Sequence, residues 1–201
     1  MNIPAVREKE LVIVKTSVFL LAALPFAQFW WRAYAHTLGP NPVEAALHES
    51  GDWALRFLLI TLALPLVRRV FAVAWVLRVR RMLGLFAFFY AVVHVSVYLG
   101  IDRFFDWDEI AKDILKRPYI TLGLGVFLAL IPLAVTSTNG MMRRLGPRWK
   151  QLHRSVYVIA TLAILHYLLS LKADVRVPLI HASILLALLI TRAYIQRREA
   201  V

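Results

Sequence analysis

WKQLHRSVYVIATLAILHYLL, residues 149–169, is a helix-length apolar run with one histidine at its start, His153, and another deep inside it, His166. Thirteen residues of helix rise roughly 20 Å, so the two imidazoles sit at very different depths if the run crosses a bilayer. An ionisable ring inside a membrane span marks a functional site by default. The fold class turns on how many such runs the chain contains.

Of the 201 residues, 60% are hydrophobic and the mean hydropathy is +0.66, above the roughly 45–50% apolar content of soluble domains. The excess is gathered into six runs near the roughly 20 residues a bilayer requires: about 11–34, 53–67, 82–100, 119–136, 152–171 and 177–194. The expected fold is an all-α membrane protein, a six-transmembrane-helix bundle forming a single domain over residues 1–201. Pro25 predicts a kink in the first run, and Arg117-Pro118 puts a proline at the start of the fourth. Ser50-Gly51-Asp52 reads as a turn and N-cap before the second. The short apolar stretch 70–77, flanked by arginines, reads as an interfacial segment.

The formal charge of +12 would point to nucleic acid in a soluble chain, but here the bases fill alternate gaps between the runs. Arg7, Lys9 and Lys15 precede the first run, and Arg68, Arg69, Arg78, Arg80 and Arg81 follow the second. Arg143, Arg144, Arg148 and Lys150 follow the fourth, and Arg192, Arg197 and Arg198 close the chain. Residues 36–52 hold acids and no Lys or Arg, and residues 102–117 are mixed. By the positive-inside rule both termini are expected in the cytoplasm. No cleavable signal peptide is read at the start. Cysteine is absent, which excludes disulfides, thiolate metal sites and iron–sulfur clusters. No Gly-rich phosphate loop follows a strand, and no nucleophile–base constellation is present.

On this topology His94 lies about 18 Å along the third run and His166 about 21 Å along the fifth, both measured from the cytoplasmic side. Two imidazoles at one depth on different helices suit a bis-histidine haem held between them. A zinc or copper site would recruit further ligands nearby, and neither run contains Cys, Asp or Glu. A single histidine in a span is more often an interhelical hydrogen-bonding contact than a ligand; the pair favours ligation. His153 is about 140° from His166 around an ideal axis, so the two need not serve one cofactor. The position on the third run level with His153 is Arg81, beside Arg78 and Arg80, and arginine pairs with propionate or phosphate but cannot ligate iron. The cytoplasmic side therefore holds either a haem with another second ligand or an anionic group such as a flavin phosphate, against topology signal and lipid headgroup contact as the plain reading of the arginines. His36 and His48 read as solvated loop residues, and His181 as a minor candidate near the outer cofactor. Trp30, Trp31, Tyr34 and Trp53 read as an interfacial aromatic belt, and Phe86, Phe88, Phe89 and Tyr90 as packing or lipid-facing surface.

Several segments resemble the MsrQ (YedZ) family of haem-binding membrane subunits, within the ferric-reductase-like transmembrane superfamily. They are Arg80-Arg81-Met82-Leu83-Gly84-Leu85, His94 with Ser96 and Tyr98, Arg117-Pro118-Tyr119-Ile120-Thr121-Leu122-Gly123, and Thr136-Ser137-Thr138. Leu145-Gly146, Trp149, Gln151-Leu152-His153, Val156-Tyr157 and His166-Tyr167 complete the set. Each motif is weak alone; their order and spacing are specific. The resemblance implies one or two b-type haems with His94, His153 and His166 as iron ligands, together with FMN, while Arg80 and Arg81 are candidates for propionate or flavin phosphate contacts. It implies electrons drawn from the quinone pool or a cytosolic flavin reductase and passed to a periplasmic molybdopterin subunit, MsrP, that reduces methionine sulfoxide in oxidised proteins. The location implied is the bacterial inner membrane. Superfamily relatives with two stacked haems use two histidines on each of two helices, and this chain supplies three. The chain is expected to be an electron-transfer subunit rather than the catalytic one, its outer loops 36–52 and 102–117 forming the docking surface. The alternatives are a stand-alone ferric or quinone reductase, and a non-redox transporter or scaffold whose histidines bond between helices.

Overall fold

In an apolar medium a chain satisfies its backbone most simply by bonding it to itself. In the computed structural model, which describes residues 8–73, 75–171 and 174–199, every regular element is helical. Arg7 and Ala74 lie outside the described residues. Five helices are long and apolar enough to cross a membrane: Glu8–Tyr34, Val76–Asp102, Pro118–Val135, Pro147–Ser170 and Arg176–Arg198. The protein is thus a multi-pass, all-α membrane protein. Two compact units divide it after Phe104.

The first unit holds α1 (Glu8–Tyr34), α2 (Pro42–Phe71) and α3 (Val76–Val97), the last prolonged by a π-helical turn, Tyr98–Asp102. The second expected run is only part of α2, which starts well before it. Asn41 accepts from the Glu44 N–H at 3.3 Å while its amide donates to the Glu44 carboxylate at 2.8 Å, and Pro42 fills the first turn. That is a helix start by reciprocal capping. Ser50-Gly51-Asp52 is therefore not the turn and N-cap that its composition indicated. Ser50 lies inside the helix and gives its hydroxyl to the Ala46 carbonyl at 2.6 Å, the back-bonding open to a mid-helix serine. Most of the expected loop 36–52 is helix as well, tied to the end of α1 by Arg32 to Glu49 at 2.8 Å. Nor is 70–77 a separate interfacial segment. Val70 and Phe71 finish α2, Ala72 turns the chain with a left-handed φ of 55°, and Val76 opens α3.

Packing between α2 and α3 makes the core of this unit. Phe57 stacks on Tyr90 at 5.4 Å between centroids and meets Phe86 at 5.8 Å. Leu58, Leu62, Leu83 and Ala87 close the space around them. Along α1 much of the apolar surface faces outward, with Leu21, Trp31 and Tyr34 exposed, as a lipid-contacting helix requires.

Tyr90 joins α1 to this core through a defect in α1. Pro25 has no N–H and its ring pushes on the preceding turn, which opens the neighbouring rung between Ala22 and Phe26. The Tyr90 hydroxyl fills that rung: it donates to the Ala22 carbonyl at 2.9 Å and accepts from the Phe26 N–H at 3.0 Å. The helix turn that carries Pro25 is thus attached to α3 through its neighbours Ala22 and Phe26.

In the second unit, α4 (Trp107–Lys116) is a short amphipathic helix capped by Asp106, which accepts from the Asp108 and Glu109 N–H groups at 3.1 Å. Arg117 is extended, as a residue before proline should be, so α4 stops there and Pro118 starts α5 (Pro118–Val135). Next come α6 (Asn139–Leu145), α7 (Pro147–Arg154), α8 (Val156–Ser170) and α9 (Arg176–Glu199). Gly146, at φ 51° and ψ −124°, makes the reversal between α6 and α7, a conformation open to glycine. The opening stretch of sequence is not one ideal helix. At Ser155 the N–H bonds three residues back, to Leu152, at 3.1 Å, so α7 and α8 join through a tightened turn. The ideal-axis angle between His153 and His166 does not apply across it. The core lies between α5 and α8, with Val126, Leu130, Ile159 and Ala160 buried.

Replacing Tyr90 by Phe leaves the opened α1 rung unfilled and is expected to destabilise the protein by about 1 kcal/mol in detergent. In a Pro25→Ala background, where the rung can close on itself, the same replacement is expected to cost less. Thermal unfolding of the four proteins in this cycle measures the difference, and equal losses in both backgrounds would contradict the bridging role.

Candidate functional site

The candidate ligands fall on three helices: His94 on α3 in the first unit, His153 on α7 and His166 on α8 in the second. Each is partly shielded, and each Nδ1 faces a backbone carbonyl. For His94 the partner is Leu47 O of α2 at 2.9 Å, for His166 it is Tyr119 O of α5 at 2.7 Å, and for His153 it is Trp149 O one turn back at 3.1 Å. A carbonyl oxygen can only accept, so Nδ1 carries the proton and the lone pair of the neutral ring sits on Nε2. This is the usual arrangement of a ligating histidine, whose other N–H is given to a carbonyl or carboxylate that fixes tautomer and orientation.

His94 and His166 share a local device. In each case a carbonyl on the neighbouring helix lies 47 residues before the histidine, and a glycine stands four residues after that carbonyl. A helix carbonyl leans toward the residue one turn on, so a side chain there would crowd a second donor. At Gly51 an added Cβ would come within 3.1 Å of His94 Nδ1; at Gly123 it would come within 2.6 Å of His166 Cε1 and 2.8 Å of its Nδ1. Ser50 adds a hydroxyl at 3.5 Å from His94 Nδ1, and the Tyr119 ring lies 6.4 Å from the His166 ring. None of these four neighbours was picked out for this role from sequence. The only signal was a glycine 43 residues before a histidine, twice.

His153 is held differently. Its ring stacks on Trp149 with centroids 3.9 Å apart at 24°, and the Trp149 indole N–H donates to Thr136 O, at the end of α5, at 2.9 Å. The imidazole thus rests on an indole anchored to a neighbouring helix. Arg80 and Arg81 lie in the opening turns of α3, Arg80 half-buried and Arg81 exposed. His181 is buried on α9, with Nδ1 on Val177 O of its own helix at 3.0 Å and the Tyr167 ring 6.3 Å away. His36 is exposed in a left-handed turn at φ 52°, and His48 lies 3.7 Å from Glu44.

Within each unit, no three His, Cys, Asp or Glu among the described residues gather as a metal-ion cluster. What each unit offers is neutral imidazole with its lone pair on Nε2, set on a helix. That donor set fits an iron whose remaining coordination comes from a macrocycle, with nitrogen needed only axially. It does not fit a bare ion that needs four to six protein ligands.

A family model described as ferric reductase like transmembrane component matches residues 50–164, more than half of the chain. The match takes in Gly51, His94, Gly123 and His153. The chain is 48% identical over 188 residues to a protein of Herminiimonas arsenicoxydans, covering 92% of this chain and 86% of that one. It is 48% identical over 184 residues to one from Caulobacter vibrioides, covering 91% and 88%. Identity reaches 50% over 179 residues with one from Rhodospirillum rubrum, covering 89% and 86%. All three are named protein-methionine-sulfoxide reductase heme-binding subunit MsrQ. With this identity over nine-tenths of its length, and the family's motifs on the helices described, the chain belongs to the MsrQ family of ferric-reductase-like membrane proteins.

Proposed function

We propose that this protein is the haem-binding electron-transfer subunit of a protein-methionine-sulfoxide reductase system in the bacterial inner membrane. The observation that carries the reading is the backbone carbonyl that each histidine's Nδ1 faces. His94, His166 and His153 each commit Nδ1–H to a backbone carbonyl, which puts the ring's lone pair on Nε2, the atom a haem iron would take, and the similar relatives are named for haem binding. A b-type haem, when bound, supplies a one-electron carrier that survives in an apolar layer.

The chain is read as one domain with six spans, the sixth being the apolar part of α2. The bases stay at alternate ends of the spans: Lys9 and Lys15 on α1, Arg68 to Arg81 around the α2–α3 turn, Arg143 to Lys150 on α6 and α7, and Arg192 to Arg198 on α9. That distribution supports cytoplasmic termini. His94 and His166 are read as haem ligands, each on an imidazole held by a carbonyl of the neighbouring helix. His153 belongs to the cytoplasmic side, where Arg80 and Arg81 offer cations to haem propionates or to the phosphate of FMN. The donor is the quinone pool or a cytosolic flavin reductase. The acceptor is the periplasmic molybdopterin subunit MsrP, which performs the substrate chemistry. This chain's part is to hold its carriers, exclude water from them and keep their ligand rings oriented.

Reduced-minus-oxidised spectra of the detergent-purified protein test the central point. His94→Ala and His166→Ala are each expected to abolish a haem signal. His153→Ala is expected to remove a different signal or bound flavin. Retention of all haem by both the His94 and the His166 variants would refute the ligand assignment. For the topology, reporters active only in the cytoplasm are expected to work at either terminus, and activity of a periplasm-only reporter there would overturn the orientation.

A further inference from the structure

We infer that Gly51 and Gly123 are positioning residues of the imidazoles of His94 and His166, each kept side-chain-free so that a histidine can bond a helix carbonyl already engaged in its own helix. The inference rests on the assignment of His94 and His166 as ligands and deepens it.

Helix-interior glycine has a simpler use, letting two backbones approach each other closely in a membrane. The neighbours of the missing Cβ decide between the two uses. At Gly123 the three nearest heavy atoms are all imidazole atoms of His166, at 2.6, 2.8 and 3.3 Å; at Gly51 all three belong to His94, the nearest at 3.1 Å. No backbone atom of the neighbouring helix is among them. Gly84 faces a methyl group of Thr61 at 3.7 Å, and Gly125, two residues beyond Gly123, has nothing within 4 Å. Of these four glycines, the close approach to a ring is found at the two that stand one turn after the carbonyls of Leu47 and Tyr119.

The two copies differ in tolerance. A Cβ at 2.6 Å overlaps the His166 ring outright, and the bond it would break is the shorter one, 2.7 Å. A Cβ at 3.1 Å needs His94 to shift by only a few tenths of an ångström, and the Ser50 hydroxyl at 3.5 Å is on hand to take part of the Nδ1 interaction. Loss of the carbonyl bond frees the ring to rotate, which turns Nε2 aside, or to change tautomer, which puts a proton on the Nε2 lone pair; either would stop it holding iron.

The test uses the full-length protein purified in detergent with its native haem content. Gly123→Ala is expected to lose the haem signal that His166→Ala loses. Gly51→Ala is expected to keep haem but to show part of its ferric iron as high-spin in electron paramagnetic resonance, and Gly125→Ala to match the unaltered protein. A wild-type spectrum and spin state in Gly123→Ala would overturn the inference. Misfolding is separated by a thermal cycle: Gly123→Ala should lower Tm in the native background but not in His166→Ala, where no ring meets the new methyl group. An equal fall in both backgrounds would assign Gly123 to helix packing and overturn the positioning role. Full haem in His166→Ala would instead refute the ligand assignment beneath it, an outcome read on that variant alone.

Discussion

A polar hydrogen in lipid has no water to turn to, so each one must find a protein acceptor. In this chain the acceptors most at hand are helix carbonyls, which have a second lone pair beyond the one used by the helix. The imidazoles of His94, His153 and His166 all take that option at Nδ1. Satisfying one nitrogen this way decides what the other is: an aromatic lone pair at a fixed place on a helix. The demand that a shielded ring be satisfied and the demand that a proposed haem ligand be oriented are met by the same hydrogen bond. Helix-interior glycine costs about 1 kcal/mol relative to alanine, of the same order as the hydrogen bond it permits, so the arrangement is near neutral for stability and its gain is in geometry.

The same rule explains the joint between α1 and α3. Proline opens a rung that lipid cannot close, and the hydroxyl of Tyr90 bonds both exposed groups. An opened rung that would be a weakness becomes a specific attachment for a helix whose other faces are largely exposed. Trp149 works in a related way: its N–H is given to Thr136 O, and its ring becomes the shelf for His153.

Much of this was legible in the chain. Long apolar runs and alternating basic gaps imply a multi-pass helical protein because bilayer thickness and charge distribution are read directly from sequence. Arg117-Pro118 marked the α4–α5 boundary because the restriction is local. The errors also have physical causes. The start of α2 lay hidden in an acidic stretch that looked like a loop, although Asn41-Pro42-Val43-Glu44 carried a helix-start pattern. Ser50 looked like a cap because the alternative, back-bonding to Ala46, depends on the helix already being there. The break at Ser155 had no proline or glycine to announce it. Gly123 stood in a motif quoted for family resemblance, but its purpose depends on a ring 43 residues away, and nothing local encodes that contact.

The central claim, that neutral histidine nitrogens held by helix carbonyls are the axial ligands of iron in this protein, is tested most directly by electron paramagnetic resonance of the oxidised, purified chain with ring-¹⁵N histidine. The account predicts low-spin ferric iron coupled to histidine nitrogen. Iron with no coupled histidine nitrogen would contradict it.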